Sequence, residues 1–255
     1  MKTILITNDD GIYSPGLAAL KEALEPLGKI ITIAPDRDNS AISHALTMNR
    51  PLYLEELGDD RYSLNGTPTD CVVVGLNKVL DRLPDLLVSG INSGPNIGDD
   101  ISYSGTVSAA VEGVMYAVPS LAVSLAGTEP LSYEAAKTII HALAARTMKY
   151  GLPANTLMNI NIPHGSEIRG LRVTRQGRRI WKQAIQEITD PFGRLHYWIG
   201  GGAPLLDVGR DTDVHAVESS YISVTPIHLD LTNHEGISYF KEDLKLETLS
   251  DQLDF

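Results

Sequence analysis

Short apolar runs rich in β-branched residues recur along the chain, and several break off into a polar loop and then a helix-patterned segment. The first is KTILIT, which opens straight into Asn8-Asp9-Asp10-Gly11. A run of that length without polar alternation reads as a strand buried on both faces. Ser14-Pro15 then reads as an N-cap followed by proline at the first helical position, ahead of GLAALKEALEPLG. KIITIAP (Lys29 to Pro35) is a second strand, ending in the loop DRDNSAISHALT. TPTDCVVVGLNKVL reads as helical, with Thr67 or Thr69 as its cap. PDLLVSG (Pro84 to Gly90) is another apolar run and opens into INSGPNIGDDISYSGT. A helix is expected from about Thr106 through VSAAVEGVMYAV, stopping before Pro119. SLAVSL (Ser120 to Leu125) and TLMNINIP (Thr156 to Pro163) are further strands. Between them, SYEAAKTIIHALAARTMKYG is an amphipathic helix with a glycine stop at Gly151.

Strands that alternate with helices must be covered on both faces, which implies a parallel sheet. The expected fold is therefore α/β, a Rossmann-like, doubly wound, mostly parallel sheet. After Pro163 the pattern changes. GLRVTRQGRRIWKQAI, LHYWIGG and YISVTPI are strand-like with no long helix between them, which predicts an antiparallel C-terminal extension. A single domain is expected over residues 1–255, with its core at about residues 1–165 and the extension at about residues 166–255. The acidic tail KEDLKLETLSDQLDF is expected to fray or to form a short surface helix.

Charge and cysteine content narrow the function. The chain of 255 residues has a formal net charge of −11. That disfavours a nucleic-acid duplex, whose affinity comes mainly from Lys and Arg on phosphates. A small anionic substrate is compatible with it, provided a metal or a nest of N–H groups offsets the field. Cys71 is the only cysteine, so no intramolecular disulfide and no Cys-based metal cage can form. TILIT is a strand's length, too short for a signal peptide or a membrane span. The expectation is a cytoplasmic protein with no membrane partner.

In an open parallel sheet, ligands bind outside the carboxyl ends of the strands, near the point where strand order reverses. Three polar loops follow strands directly: Asn8–Gly11, Asp36–Ser43 and Asn92–Thr106. Asp9 and Asp10 stand where an apolar strand ends, so at least one carboxylate should be partly buried. Buried anions need a partner, and a hard divalent cation with oxygen ligands, Mg²⁺ or Mn²⁺, is the simplest. In the second loop, Asn39, Ser40 and Ser43 offer neutral oxygens, and Asp36 and Asp38 qualify equally by chemistry. In the third, Ser104, Gly105 and Thr106 would present N–H groups and hydroxyls at a helix start, an anion site or a plain N-cap. No Gly-Lys-Ser/Thr P-loop occurs, and there is no clean GxGxxG. Two carboxylates, neutral oxygens and a phosphate-sized nest together fit metal-assisted phosphate ester hydrolysis.

TNDDG, APDRDNSAISHALT, GTPTDCV, PDLLVSGINSGPNIGDDISYSGTVSAAVEG and SVTPI closely resemble the SurE family, the survival-protein nucleotidases, from residue 3 to about residue 232. The resemblance implies a divalent-metal-dependent nucleoside monophosphate phosphatase (a 5′/3′-nucleotidase), active in some members on polyphosphate, with one metal ion per subunit. Carried over, the metal ligands are Asp9, Asp10, Ser40 and Asn92, which favours Ser40 over Asp36 and Asp38. Asp9 and Asn8 are the catalytic candidates. Asn8, Asn96, Ser104, Gly105 and Thr106 match positions lining the phosphate pocket. The segment TRQGRRIWKQ…DPFGRLHYWIGG matches an arm exchanged between subunits, which implies a homodimer or homotetramer. Ser220 replaces a glycine often found before the tyrosine of the family pattern, which bears only on local arm geometry.

Other residues invite weaker readings. His44 adjoins the second loop, but a solvated loop histidine is the simpler reading than a general acid. His141 is expected at the surface. Arg175, Arg178 and Arg179 form a basic cluster, read as a solvated face or inter-subunit contact ahead of a phosphate contact. Cys71 is expected in the core. A phospho-receiver module also places an acidic pair after its first strand, but the loop after DLLV offers Ser89, Gly90 and Asn92 rather than an acceptor Asp, and no Lys follows SLAVSL. A binding-only oligomer is the remaining alternative.

Overall fold

In the computed structural model, all residues are described except 128–130, 166, 182–184, 201–203, 207–208 and 252–255. Parts of the expected arm and the end of the acidic tail lie outside the described residues. The chain runs β1 (Thr3–Thr7), α1 (Pro15–Leu24), β2 (Lys29–Pro35), β3 (Leu54–Gly58), β4 (Arg61–Leu64), α2 (Pro68–Val74), β5 (Leu86–Ser93), α3 (Gly105–Met115), β6 (Ser120–Ala126), α4 (Glu134–Tyr150) and β7 (Thr156–Pro163). It continues through β8 (Leu171–Val173), β9 (Arg179–Trp181), β10 (Ile185–Thr189), β11 (Leu195–Ile199), β12 (Pro204–Leu206), α5 (Asp213–Glu218), β13 (Ile222–His228) and α6 (His234–Glu242).

The main sheet has the order β3-β4-β2-β1-β5-β6-β7-β13-β8. From β4 to β7 every neighbouring pair is parallel. β3 is antiparallel to β4. The chain leaves β1 for β2 on one side and then reaches β5 on the other, so strand order reverses at β1. Apolar residues of α1 and α4 pack on one face with Ile4 and Ile6 of β1, while α2 and α3 pack on the other with Leu5. The period-2 alternation of a strand buried on both faces accounts for this division. The doubly wound core is as the sequence predicts.

The helix starts follow local chemistry. Ser14 caps α1 by accepting from the Leu17 N–H, with Pro15 at the first position. Thr67, one of the two caps considered, caps α2 in a capping box with Asp70. Gly151 stops α4 in the left-handed region at φ 75°. Cys71 lies on the buried face of α2, and burial pushes its thiol up.

Beyond β7 the sheet carries two more strands. β13 runs antiparallel to β7, and β8 runs parallel to β13. β10 and β11 form a separate antiparallel hairpin, and β9 pairs antiparallel with β12. The extension is thus mostly antiparallel, with one parallel pair at the sheet edge. The hairpin β3–β4, the short helix α5 and the start of α6 carry too few apolar residues in period to stand out in the sequence.

Candidate metal and phosphate site

The three loops predicted to share an edge do so. A cleft of about 260 Å³ is lined by Asp9, Asp10, Ser40, Ala41, Asn92, Ser93, Asn96, Asp100, Tyr103 and Ser104. It sits at the carboxyl ends of β1 and β5, where strand order reverses. Asn8, Gly105 and Thr106 are not among its lining residues; Asn8 precedes Asp9 in the chain, and Gly105 and Thr106 follow Ser104 into the first turn of α3.

Asp9 follows β1 and is only 5% exposed. Its Oδ1 accepts from the Thr106 hydroxyl at 2.5 Å. Burial is the largest influence on this carboxyl and raises its pKa; the Thr106 hydrogen bond opposes that, and the charge of Asp38 adds to it. Among the described residues, no Lys, Arg or His forms an ion pair with it. Asp10 is half-buried beside it. Asn8 is fully buried, and its side chain is engaged within the loop: Oδ1 accepts from the Gly11 N–H, and Nδ2 donates to the Gly11 carbonyl and the Ser14 hydroxyl. Asn8 therefore shapes the loop that carries the aspartates.

The second loop is tied to the first where Asn39 N–H donates to the Asp9 carbonyl at 2.8 Å. Ser40 donates its hydroxyl to Asp38 Oδ1 at 2.6 Å. Asp38 is thus the hydrogen-bond partner of the cleft residue Ser40 and does not itself line the cleft. Ser43 N–H donates to the carbonyl of Tyr103, joining the second loop to the third. His44 is not simply solvated, as the sequence reading preferred. Its Nε2 lies 2.7 Å from Glu112 Oε2, a buried carboxylate on α3.

Asn92 lies next to the end of β5, beyond a register shift against β6 between Ser89 and Asn92. Gly90 makes that shift possible: at φ +138° an added Cβ would stand 2.3 Å from the Val123 carbonyl oxygen. Asn92 Nδ2 donates to the Gly94 carbonyl, which orients its amide oxygen as the remaining side-chain acceptor. Asn96 is locked by buried polar groups. Its N–H donates to Asn161, its side chain donates to Ser124, and its carbonyl accepts from Asn159 and Asn161. The sequence reading took Asn159 and Asn161 for part of an apolar strand. Their i, i+2 spacing, which puts both on one face, was the available signal.

Ser104 is the N-cap of α3; its hydroxyl accepts from the Val107 N–H at 3.0 Å. The N-cap reading and the cleft-lining position hold together, because the same hydroxyl keeps its own proton to donate. Gly105 and Thr106 open α3, where backbone N–H groups lack intrahelical acceptors. An added Cβ at Gly105 would meet Asp9 Cβ at 2.8 Å, so glycine lets the helix start press against the aspartate.

Asp100 is a third cleft carboxylate that the sequence reading missed. It pairs with Arg179 at 2.8 Å. Arg178 pairs with Asp99 and Arg175 with Asp211. The basic cluster is thus engaged with acids of its own chain. His141 is half-buried, its Nδ1 3.1 Å from the Ala23 carbonyl oxygen, rather than at the open surface expected.

Among the described residues no group of three or more His, Cys, Asp or Glu is arranged to hold a metal ion. A cation here would be met by two carboxylates and neutral oxygens. That donor set suits a hard divalent ion, and the buried Asp9 without a cationic partner fits one.

A family model described as survival protein SurE matches residues 4–183. A protein of Syntrophotalea carbinolica named 5′-nucleotidase SurE is 50% identical over 232 residues, 90% of this chain and 92% of the relative. One of the same name from Aquifex aeolicus is 43% identical over 245 residues, 94% of this chain and 98% of the relative. The crystal structure of the SurE protein from Aquifex aeolicus superposes with a TM-score of 0.83 at 41% identity, covering 94% of this chain and 100% of that one. The match in sequence and in fold runs through all three cleft loops, and the chain belongs to the SurE family.

Proposed function

We propose that this protein is a divalent-metal-dependent phosphatase that hydrolyses nucleoside monophosphates at the 5′ or 3′ ester, with short polyphosphate as a further substrate. The observation that carries the reading is Asp9, a buried carboxylate without a cationic partner, set against the first turn of α3. The curated relatives bear the name 5′-nucleotidase, which supports the same activity here.

Asp9, Asp10, Ser40 and Asn92 would hold one Mg²⁺ or Mn²⁺ per subunit. Bound there, the ion supplies Lewis-acid chemistry toward a phosphate ester and offsets the two aspartates. Asn96, Ser104 and the N–H groups of Gly105 and Thr106 offer donors to phosphoryl oxygens as negative charge builds on them. Thr106 fixes Asp9 through Oδ1, and Asn8 fixes the loop that presents both aspartates. Asp9 is the group assigned to orient the attacking water, because it is both buried and held.

Residues 1–255 form one domain in this proposal, and the extension is an arm exchanged between subunits of a homodimer or homotetramer. The hairpin β10–β11 supports that role: Ile185, Ile188, Tyr197, Trp198 and Ile199 are all exposed, more apolar surface than a lone hairpin needs. Among the described residues, no helix is long and apolar enough to cross a membrane. The cytoplasm is the proposed location, with no membrane or nucleic-acid duplex as partner. The receiver-like and binding-only readings are not favoured.

The test is phosphate release from a panel of nucleoside monophosphates with Mn²⁺, with Mg²⁺ and with EDTA. Release that EDTA abolishes and that Asp9→Asn loses while still folded supports the proposal. No release with either metal overturns it.

A further inference from the structure

The candidate metal cleft has a neighbour. A second cleft of about 400 Å³ shares Asp10 and Ser93 with it and is also lined by Tyr13, Tyr133, Asp36 and Arg37. We propose that this second cleft is the subsite for the nucleoside half of the substrate, with the base stacked on Tyr13 and its polar edge met by Arg37. The proposal rests on the phosphatase reading and extends it to substrate recognition.

Continuity is the first argument. A phosphate ester lying between the aspartates and the start of α3 has the helix on one side. Asp10 and Ser93 line both clefts, and the second cleft has no residue of α3 in its lining. A volume of this size falls within the ordinary range for small-molecule pockets.

Tyr13 is the second argument. The residue is 77% exposed, yet its backbone is held on both sides. Ile12 N–H donates to the Pro35 carbonyl, Ser14 N–H donates to the Gly11 carbonyl, and the Asn8 amide clamps Gly11 and Ser14. Folding gains little from an aromatic ring presented in this way without apolar cover. A flat base gains a preset stacking platform, because every base offers a π-face.

The charges select the ligand. Arg37 is exposed, and its contact with Asp36, at 3.9 Å, lies at the outer limit of an ion pair. Its planar fork suits the acceptor edge of a base. Asp10 and Asp36 are carboxylates on the same cleft, so they disfavour a second phosphate there and favour the hydroxyls of a sugar. A neutral nucleoside matches this wall better than a further anionic group.

The experiment compares a nucleoside monophosphate with ribose 5-phosphate, in wild type, Tyr13→Ala, Tyr13→Phe and Arg37→Ala. Turnover is measured with Mn²⁺, and equilibrium binding is measured separately in EDTA. In Tyr13→Ala the ratio of kcat/KM for the nucleotide over ribose 5-phosphate should fall about 10- to 100-fold, as expected from the loss of one stacked base, and Tyr13→Phe should retain it. Arg37→Ala should lower the ratio in the same direction. A ratio unchanged in Tyr13→Ala, or a wild type that does not distinguish the two esters in KM or in binding, overturns the subsite. Tyr13-dependent nucleotide binding in a protein without turnover would keep the subsite and sink the phosphatase reading. Full turnover with no dependence on Tyr13 would do the reverse.

Discussion

The Thr106 hydroxyl donates to Asp9 Oδ1 at 2.5 Å and so joins the first turn of α3 to the end of β1. Both groups are buried, and among the described residues no cationic side chain pairs with the carboxylate. Thr106→Val keeps the shape and removes the donor. A hydrogen bond to a charged group contributes about 1.5–3 kcal/mol. Affinity for Mn²⁺ should therefore fall about 10- to 100-fold, with Thr106→Ser close to wild type. Calorimetric titration of Mn²⁺ into both variants checks this. Equal affinity in Val and Ser would remove the hydroxyl from the site.

The raised carboxyl of Asp9 makes metal binding and stability depend on pH in opposite ways. Burial lifts its folded-state pKa above the ordinary 3.8. Without metal, the stability this group contributes is fully present below 3.8 and is lost as pH rises through the folded value. A cation favours the ionised form, so its stabilising effect is small in acid and grows as the proton leaves. The rise in Tm produced by saturating Mn²⁺ should be larger at about pH 7.5 than at the lowest pH at which the protein stays folded. Asp9→Asn should abolish the difference. Thermal melts with Mn²⁺ and with EDTA at both pH values measure it.

How far this site was legible depended on what each residue type reveals locally. The strands β1, β2, β5, β6 and β7 are buried on both faces, so their apolar runs announce them, and the loops at their carboxyl ends follow. Asp9 and Asp10 were conspicuous because a charge pair at the end of a buried strand needs compensation. Asp100 was not, because its neutralising partner Arg179 lies 79 residues away in sequence. Asn159 and Asn161 were hidden because their partner is the backbone of Asn96, and only the fold brings that to them. Asn8 and Thr106 stand out in the sequence as candidates, but the direction of their side chains does not. One side chain turns into its own loop and the other onto Asp9, and spacing in sequence does not encode either. Tyr13 carries no motif signal of its own, and only the fold shows that it is exposed beside Asp10.

Gly105 gives a test of packing inside the site. Its backbone is ordinary helix, so alanine there carries no conformational penalty and by propensity favours the helix. The new Cβ would lie 2.8 Å from Asp9 Cβ, and one of the two must move. Overpacking of this kind costs about 1–3 kcal/mol. Gly105→Ala should fold with a lowered Tm and lose most of its Mn²⁺ affinity, because the displaced group is the buried aspartate. Retained affinity with a lowered Tm would show that the helix yields and Asp9 does not.

His44 and Glu112 offer the last test, of how the second loop is held. The His44 Nε2 to Glu112 Oε2 distance is 2.7 Å, with the glutamate side chain 9% exposed and the imidazole 36%. Removing the imidazole leaves a buried carboxylate without that partner, at a cost of about 1–3 kcal/mol. It also releases the loop four residues beyond Ser40, a loop otherwise tied to its neighbours by Asn39 N–H on Asp9 and Ser43 N–H on Tyr103. His44→Ala should lower Tm by several degrees, roughly 2–4 °C for each kcal/mol lost in a chain of this length. It should also weaken Mn²⁺ binding while leaving the maximal rate at saturating metal nearly intact. His44→Gln, which restores a donor, should recover part of both. The same loss of rate at saturating metal in His44→Ala and His44→Gln would instead make the imidazole a participant in the chemistry, and pH–rate profiles of wild type and His44→Gln would then locate the proton it carries.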